Sequence, residues 1–183
     1  MKFEIIVAMD NNGVIGTMHQ PIPWKQRLDQ FRFRDMTLGN LTVYGSNTLA
    51  TIPFKHGFPD RGNFVISSRV LPVPSYCGKL SLQEFIDACK EQARVQAWVK
   101  KDSDVVYIVG GGDVYWQALD AGIVSKVHLT RVNTEVDQCT TTVRFPTDLL
   151  ERDFSCVSTE HHLGDGVDNE HNFTYKTYVR NNA

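Results

Sequence analysis

The apolar positions fall into short runs separated by turn-forming clusters, and their period switches between strand-like and helix-like along the chain. Phe3 to Met9 is apolar at almost every position, as in a strand covered on both faces, and Asp10-Asn11-Asn12-Gly13 ends it in a turn. Trp24 to Met36, entered through Pro23, has the composition of a helix, and Leu41 to Tyr44 is a second short strand stopped at Gly45. Asn63 to Ser67 is the next strand, after the Gly- and Pro-rich stretch Pro53 to Gly62, and Leu71 to Gly78 reads as loop. Ser81 followed by Glu84 is a capping box, and it opens a helix with apolar Leu82, Phe85, Ile86, Cys89, Ala93 and Ala97. Val105 to Val109, three glycines and Val114 to Leu119 give a buried strand, a tight turn and a helix. Lys126 to Val132 is a further strand, and Phe154 to Thr159 and Phe173 to Val179 flank the turn-rich Gly164 to Asn169 as an antiparallel hairpin. Strands alternating with helices require crossovers, hence an α/β fold with a largely parallel sheet, and no composition shift divides residues 1–183 into more than one domain.

Composition narrows the partners. A net charge of −2 over 183 residues supplies no cationic field for nucleic acid or an anionic membrane, so small soluble ligands are expected instead. The start, Met1 to Val7, carries Glu4 and lacks the apolar core of a signal peptide, and no run is long enough to span a bilayer. Cys77, Cys89, Cys139 and Cys156 are too widely spaced for a C-x-x-C site, which points to reduced thiols and a cytoplasmic setting.

Three places could carry chemistry. Gly110, Gly111 and Gly112 stand between strand and helix, where they make either a plain turn or a cradle of backbone N–H groups for a phosphate. Asp29 shares a helical face with Phe33 and Met36; it is either an exposed first-turn acid favoured by the helix dipole, or a partly buried carboxylate that a ligand with two N–H groups would satisfy. Pro23-Trp24 starts that helix, and Arg61 sits in the long loop. His161, His162 and His171 have no supporting cysteine or carboxylate spacing, so no metal site is expected.

Ile6-Val7-Ala8, Val14-Ile15-Gly16, Pro23-Trp24, Asp29, Phe33, Thr37, the Gly45 to Thr48 turn, Arg61, Ser67-Ser68-Arg69, Val109-Gly110-Gly111-Gly112 with Tyr115, Leu129-Thr130, Phe145-Pro146 and the Tyr175 to Arg180 tail occur in an order that resembles the dihydrofolate reductase family from end to end. The resemblance implies an α/β fold with a central, mostly parallel eight-stranded sheet, flanking helices and a C-terminal antiparallel hairpin. It implies NADPH-dependent reduction of 7,8-dihydrofolate to 5,6,7,8-tetrahydrofolate for one-carbon metabolism and thymidylate synthesis. Antifolate inhibitors are implied as further ligands, and a monomer is expected.

In that family the residue matching Asp29 holds the pterin's ring nitrogen and amino group. By the same resemblance Thr130 would support Asp29, and Trp24 would orient a water. Ile6, Val7, Phe33, Ile52, Val109 and Tyr115 would border the substrate pocket, and Arg61 would pair with the glutamyl carboxylate. NADPH would lie against Ala8, Ile15 and Gly16, under the loop Gly16 to Pro23. It would also contact Gly45, Ser46, Asn47 and Thr48, then Ser67, Ser68 and Arg69, and the stretch Val109, Gly110, Gly111, Gly112, Asp113, Val114 and Tyr115. A cis peptide is implied between Gly110 and Gly111. Ser46 and Asp113 depart from the family by standing where basic residues are common, which removes positive charge from the adenosine 2′-phosphate site. Around Cys139 to Val143 the family's Gly-Asp pair is absent, with Thr142 near the position of its acid. The rival readings are a riboflavin-pathway reductase of similar fold, and a nucleotide- or folate-binding protein without turnover.

Overall fold

The computed structural model describes residues 1–17, 22–54, 57–67, 77–90, 104–137 and 141–181. Its strands are β1 (Lys2–Met9), β2 (Val14–Thr17), β3 (Leu41–Gly45), β4 (Gly62–Ile66), β5 (Cys77–Leu80), β6 (Val105–Ile108), β7 (Val124–Val132), β8 (Thr142–Arg144), β9 (Phe154–His162) and β10 (Phe173–Arg180). Eight of them form one sheet in the order β5-β4-β3-β6-β1-β7-β10-β9. The pairs from β5 to β7 are parallel, and β10 and β9 close the sheet as the expected antiparallel hairpin. The helices are α1 (Arg27–Thr37), α2 (Ser46–Thr51), α3 (Leu82–Lys90), α4 (Gly112–Asp120) and α5 (Thr147–Asp153). None of the described helices is long and apolar enough to cross a membrane.

Alternation along the central strand separates core from site. Phe3, Ile5, Val7 and Met9 of β1 join the large apolar cluster with Leu82, Phe85 and Ile86 of α3, Val114 and Leu119 of α4, and Leu149 and Leu150 of α5. Successive strand residues point to opposite faces, so Glu4, Ile6 and Ala8 look the other way. Ala8 packs against the smaller cluster of Trp24, Val132 and Phe173.

Glu4 is a buried acid on that second face. Its Oε2 lies 2.7 Å from His128 Nε2, and its Oε1 lies 3.5 Å from Lys126 Nζ. Burial pushes the carboxyl up, but His128 and Lys126 outweigh it and hold the group below its ordinary 4.5. A carboxyl lowered in the folded state stabilises the fold above its unfolded value, and that stabilisation is lost as pH falls through the folded value. Thermal unfolding below about pH 4.5 is therefore expected to show a steeper fall of Tm in the wild type than in Glu4→Gln. Equal slopes would mean that the buried pair contributes nothing to acid stability.

The starts of α3 and α1 are built differently. At α3 the capping box forms as the sequence indicates: Ser81 Oγ accepts from Glu84 N (3.2 Å), while Glu84 Oε2 accepts from Ser81 N (2.7 Å). The start of α1 corrects the sequence reading, because the helix begins at Arg27 rather than Trp24 and Gln26 makes no side-chain cap. Its free N–H groups are met by the β9–β10 turn, where Asn169 Oδ1 accepts from Leu28 N (3.0 Å) and the Asp168 carbonyl accepts from Arg27 N (3.0 Å). Asp165 shapes that turn by accepting from the backbone N–H groups of Val167, Asp168 and Asn169.

Two further differences concern short elements. Cys77 and Gly78, read from the sequence as loop, belong to edge strand β5, while the rest of that stretch, residues 71–76, lies outside the described residues. The sequence reading placed no strand at β2 or β8, which pair antiparallel as a separate two-stranded sheet. The α3 continuation through Ala93 and Ala97, and Cys139, also lie outside the described residues.

Candidate functional site

Asp29 stands in the first turn of α1 and leans onto the sheet, where Thr130 Oγ1 donates to its Oδ1 at 2.5 Å. Thr130 is fully buried on β7, opposite Ala8 of β1 on one side and Tyr175 of β10 on the other. The half-buried carboxyl is raised above its ordinary value: burial raises it most, and the Thr130 hydrogen bond and the Arg32 charge oppose that only in part. A carboxylate in this state suits a ligand that brings N–H donors. Trp24 and Ala8 pack beside Thr130's neighbour Tyr175.

The far wall is set by α1 and the loop before β4. Phe33, one turn after Asp29, lies 5.1 Å from the Phe58 ring. Phe58 packs with Ile52 and Val109 around buried Tyr44 and Val65. Arg61 is held at the end of α1, where its Nε donates to Thr37 Oγ1 (2.8 Å) and its Nη2 donates to the Arg34 carbonyl (3.4 Å). The guanidinium lies over both the Phe33 and Phe58 rings, so it stands where apolar wall meets solvent.

On the other side of Ala8, strand ends meet helix starts. Gly45 N donates to the Gly110 carbonyl at 2.8 Å, which sets the beginning of α2 beside that of α4. The Gly110–Gly111 peptide is cis, and Gly110 has φ 122°, a region that favours glycine. Neither Gly45 nor Gly111 caps its helix with a side chain, and a Cβ on Gly111 would stand 3.4 Å from Thr48 Oγ1. Two bare helix starts, with Ser46, Asn47 and Thr48 on one and Gly112 and Asp113 on the other, fit the phosphates of a dinucleotide. Gly112 is also tight against β8: a Cβ there would meet Val143 Cγ1 at 2.9 Å. Strand β2, with Ile15 and Gly16, pairs with β8, so the stub of the loop implied to cover the cofactor is tied by backbone pairing although the Gly-Asp pair is missing. Ser67 follows β4, while Ser68 and Arg69 lie outside the described residues.

Not every expected wall residue faces the pocket. Val7 turns its side chain into the core on the opposite face of β1, so only its main chain can border a ligand there. Tyr115 belongs to the same core and reaches across to donate to the Ile6 carbonyl at 2.9 Å; burial foremost, and the Asp29 charge, push its phenol up. Arg32 went unremarked in the sequence, although its place three residues after Asp29 puts the two on one helical face. Its Nη1 donates to Thr130 Oγ1 at 3.2 Å.

A family model described as dihydrofolate reductase matches residues 2–180. A dihydrofolate reductase of Haemophilus influenzae is 29% identical over 137 residues, 75% of this chain and 76% of its own length. One of Aedes albopictus is 26% identical over 187 residues, 96% and 94% of the two chains. Among solved structures, a dihydrofolate reductase from Enterococcus faecalis complexed with NADP(H) and RAB-propyl superposes with a TM-score of 0.76 at 22% identity, covering 99% of this chain and 97% of its own.

Proposed function

The chain belongs to the dihydrofolate reductase family, and on that footing we propose that it reduces 7,8-dihydrofolate to 5,6,7,8-tetrahydrofolate with NADPH, using Asp29 as the pterin anchor. The observation that carries this reading is the half-buried Asp29 carboxylate, gripped at 2.5 Å by Thr130 beside Ala8. NADPH supplies the hydride when bound. Asp29 accepts from the pterin's ring N–H and amino group and orients the ring. Ile6, Phe33, Ile52 and Val109 exclude bulk water from it, and Trp24 orients the water that passes a proton to the ring nitrogen. Gly45 to Thr48 and Gly110 to Asp113 hold the phosphates. No covalent bond to the protein is needed. The protein works as a single cytoplasmic domain and as a monomer, and antifolates occupy the Asp29 pocket.

The test is the loss of reduced-nicotinamide absorbance with dihydrofolate, run with NADPH and NADH. Oxidation that requires dihydrofolate supports the reading, and binding without oxidation overturns it. The cofactor ratio reports what Ser46 and Asp113 do at the 2′-phosphate site.

Arg61 gives a more selective check. Three of its N–H groups are engaged by Thr37, Pro59 and Arg34, which leaves others of its five for a carboxylate. Arg61→Leu is expected to raise KM for dihydrofolate by about 10- to 100-fold with kcat little changed, the cost of a charge-assisted pair. A pterin lacking the glutamyl tail should show no such loss, and an equal loss would place Arg61 elsewhere in the mechanism.

A further inference from the structure

We propose that Arg32 is a positioning residue for Asp29: it commits the Thr130 hydroxyl proton to the carboxylate and favours the ionised form of that half-buried group. The contact is a relay of two hydrogen bonds. Arg32 Nη1 donates to Thr130 Oγ1 at 3.2 Å, and Thr130 Oγ1 donates to Asp29 Oδ1 at 2.5 Å. A hydroxyl has one hydrogen, and a guanidinium has only donors. With Arg32 occupying an acceptor position on Oγ1, the hydroxyl hydrogen is turned to Asp29, and the second carboxylate oxygen is left for a ligand.

The sheet register lays out the row of residues beneath Arg32. Ala8, Thr130, Tyr175 and Glu160 are successive cross-strand partners on β1, β7, β10 and β9. The Arg32 guanidinium carbon lies 4.2 Å from the centre of the Tyr175 ring, and the Glu160 charge acts on it from the row's outer end. The Asp29 charge also reaches Tyr115 of α4 and Tyr175 of β10; burial foremost, and that charge, push both phenols up, Tyr175 to about 12, so both are neutral near pH 7. Among the described residues Arg32 is the cation that acts on Asp29, and it opposes the desolvation that favours the neutral acid.

The role of Asp29 as pterin anchor belongs to the proposed function, but the relay can be tested without it. The experiment is a carbon-13 NMR titration of the side-chain carboxyls in the ligand-free protein, with the Asp29 signal assigned by its loss in Asp29→Asn. Arg32→Gln is expected to raise the Asp29 midpoint by about one pH unit, the low end of the effect of a nearby opposite charge. Arg32→Lys is expected to recover most of that shift, with Tm close to wild type in both variants. A midpoint that stays in place in Arg32→Gln, or that moves as far in Arg32→Lys, overturns the proposal. Since neither cofactor nor substrate is present, a failure of dihydrofolate reduction would sink the activity reading and leave this result standing.

Discussion

Replacing Asp29 by Asn is expected to lower kcat/KM for dihydrofolate by roughly 10²-fold or more while leaving the fold as stable as before, or more stable. The change keeps the shape and removes the charge. It also puts an NH₂ group where the pterin's own N–H donors must find acceptors, and losing a charged acceptor in a desolvated site costs about 3 kcal/mol. Stability runs the other way. The Asp29 carboxyl is raised in the fold, mainly by burial, so its ionised form is a burden above the unfolded value that disappears as the pH falls below it. Asn removes that burden, and Tm should be equal or higher near neutral pH, with any gain fading in acid. Kinetics and thermal unfolding at pH 7 and pH 4 measure both halves. Turnover near wild type would remove Asp29 from the mechanism, and a large loss of Tm would make its role structural.

This trade between stability and binding was partly visible before the fold was. The carboxylate and Phe33 could be singled out because they share one face of a helix-forming stretch, and the glycine run because it stands between a buried strand and a helix; β1, β3, β6 and α4 all lie within a few residues of where their apolar runs put them. The capping box at Ser81 and Glu84 was legible because both partners lie within one turn. The start of α1 was not, because its cap comes from Asn169, 141 residues away. Strands β2 and β8 have four and three residues, too few to show a period, and they exist by pairing with each other. The identity of the pocket came from residues in order along the whole chain, not from any one of them. Which face Val7 takes was not legible, because a strand covered on both sides shows no alternation to say which side is which; its side chain lies in the core. Arg32 was hidden differently: an arginine three residues from an aspartate on a helix reads as a surface pair, and only the cross-strand row from Ala8 to Glu160 makes it part of the site.

Asn63 is where stability and substrate binding meet most directly, and Asn63→Leu is expected to destabilise the protein by about 3–5 kcal/mol, or roughly 10–15 °C in Tm. The side chain is 4% exposed on β4 and uses both ends of its amide. Its Oδ1 accepts from the Tyr44 hydroxyl (2.8 Å) and from Phe58 N (2.9 Å), and its Nδ2 donates to the carbonyls of Phe58 (2.9 Å) and Arg61 (3.2 Å). Leucine matches the volume and supplies none of these bonds, so the Tyr44 hydroxyl and the Phe58 amide lose an acceptor in a region with little water to replace it. Gly57 adds a steric constraint: it has φ 76°, and a Cβ there would stand 2.6 Å from Asn63 Oδ1, so the loop is folded directly onto this amide. That loop carries Phe58 against Phe33 and Arg61 against Thr37, the far wall of the pocket. Loosening it should raise KM for dihydrofolate more than it lowers kcat, and should leave KM for NADPH nearly unchanged. Asn63→Asp keeps the acceptors but sets a buried carboxylate against the Phe58 and Arg61 carbonyls, so it should also lower Tm. A Tm for Asn63→Leu within a degree or two of wild type would mean that the loop is held by its apolar contacts alone, and the coupling from β4 to the substrate wall would have to be abandoned.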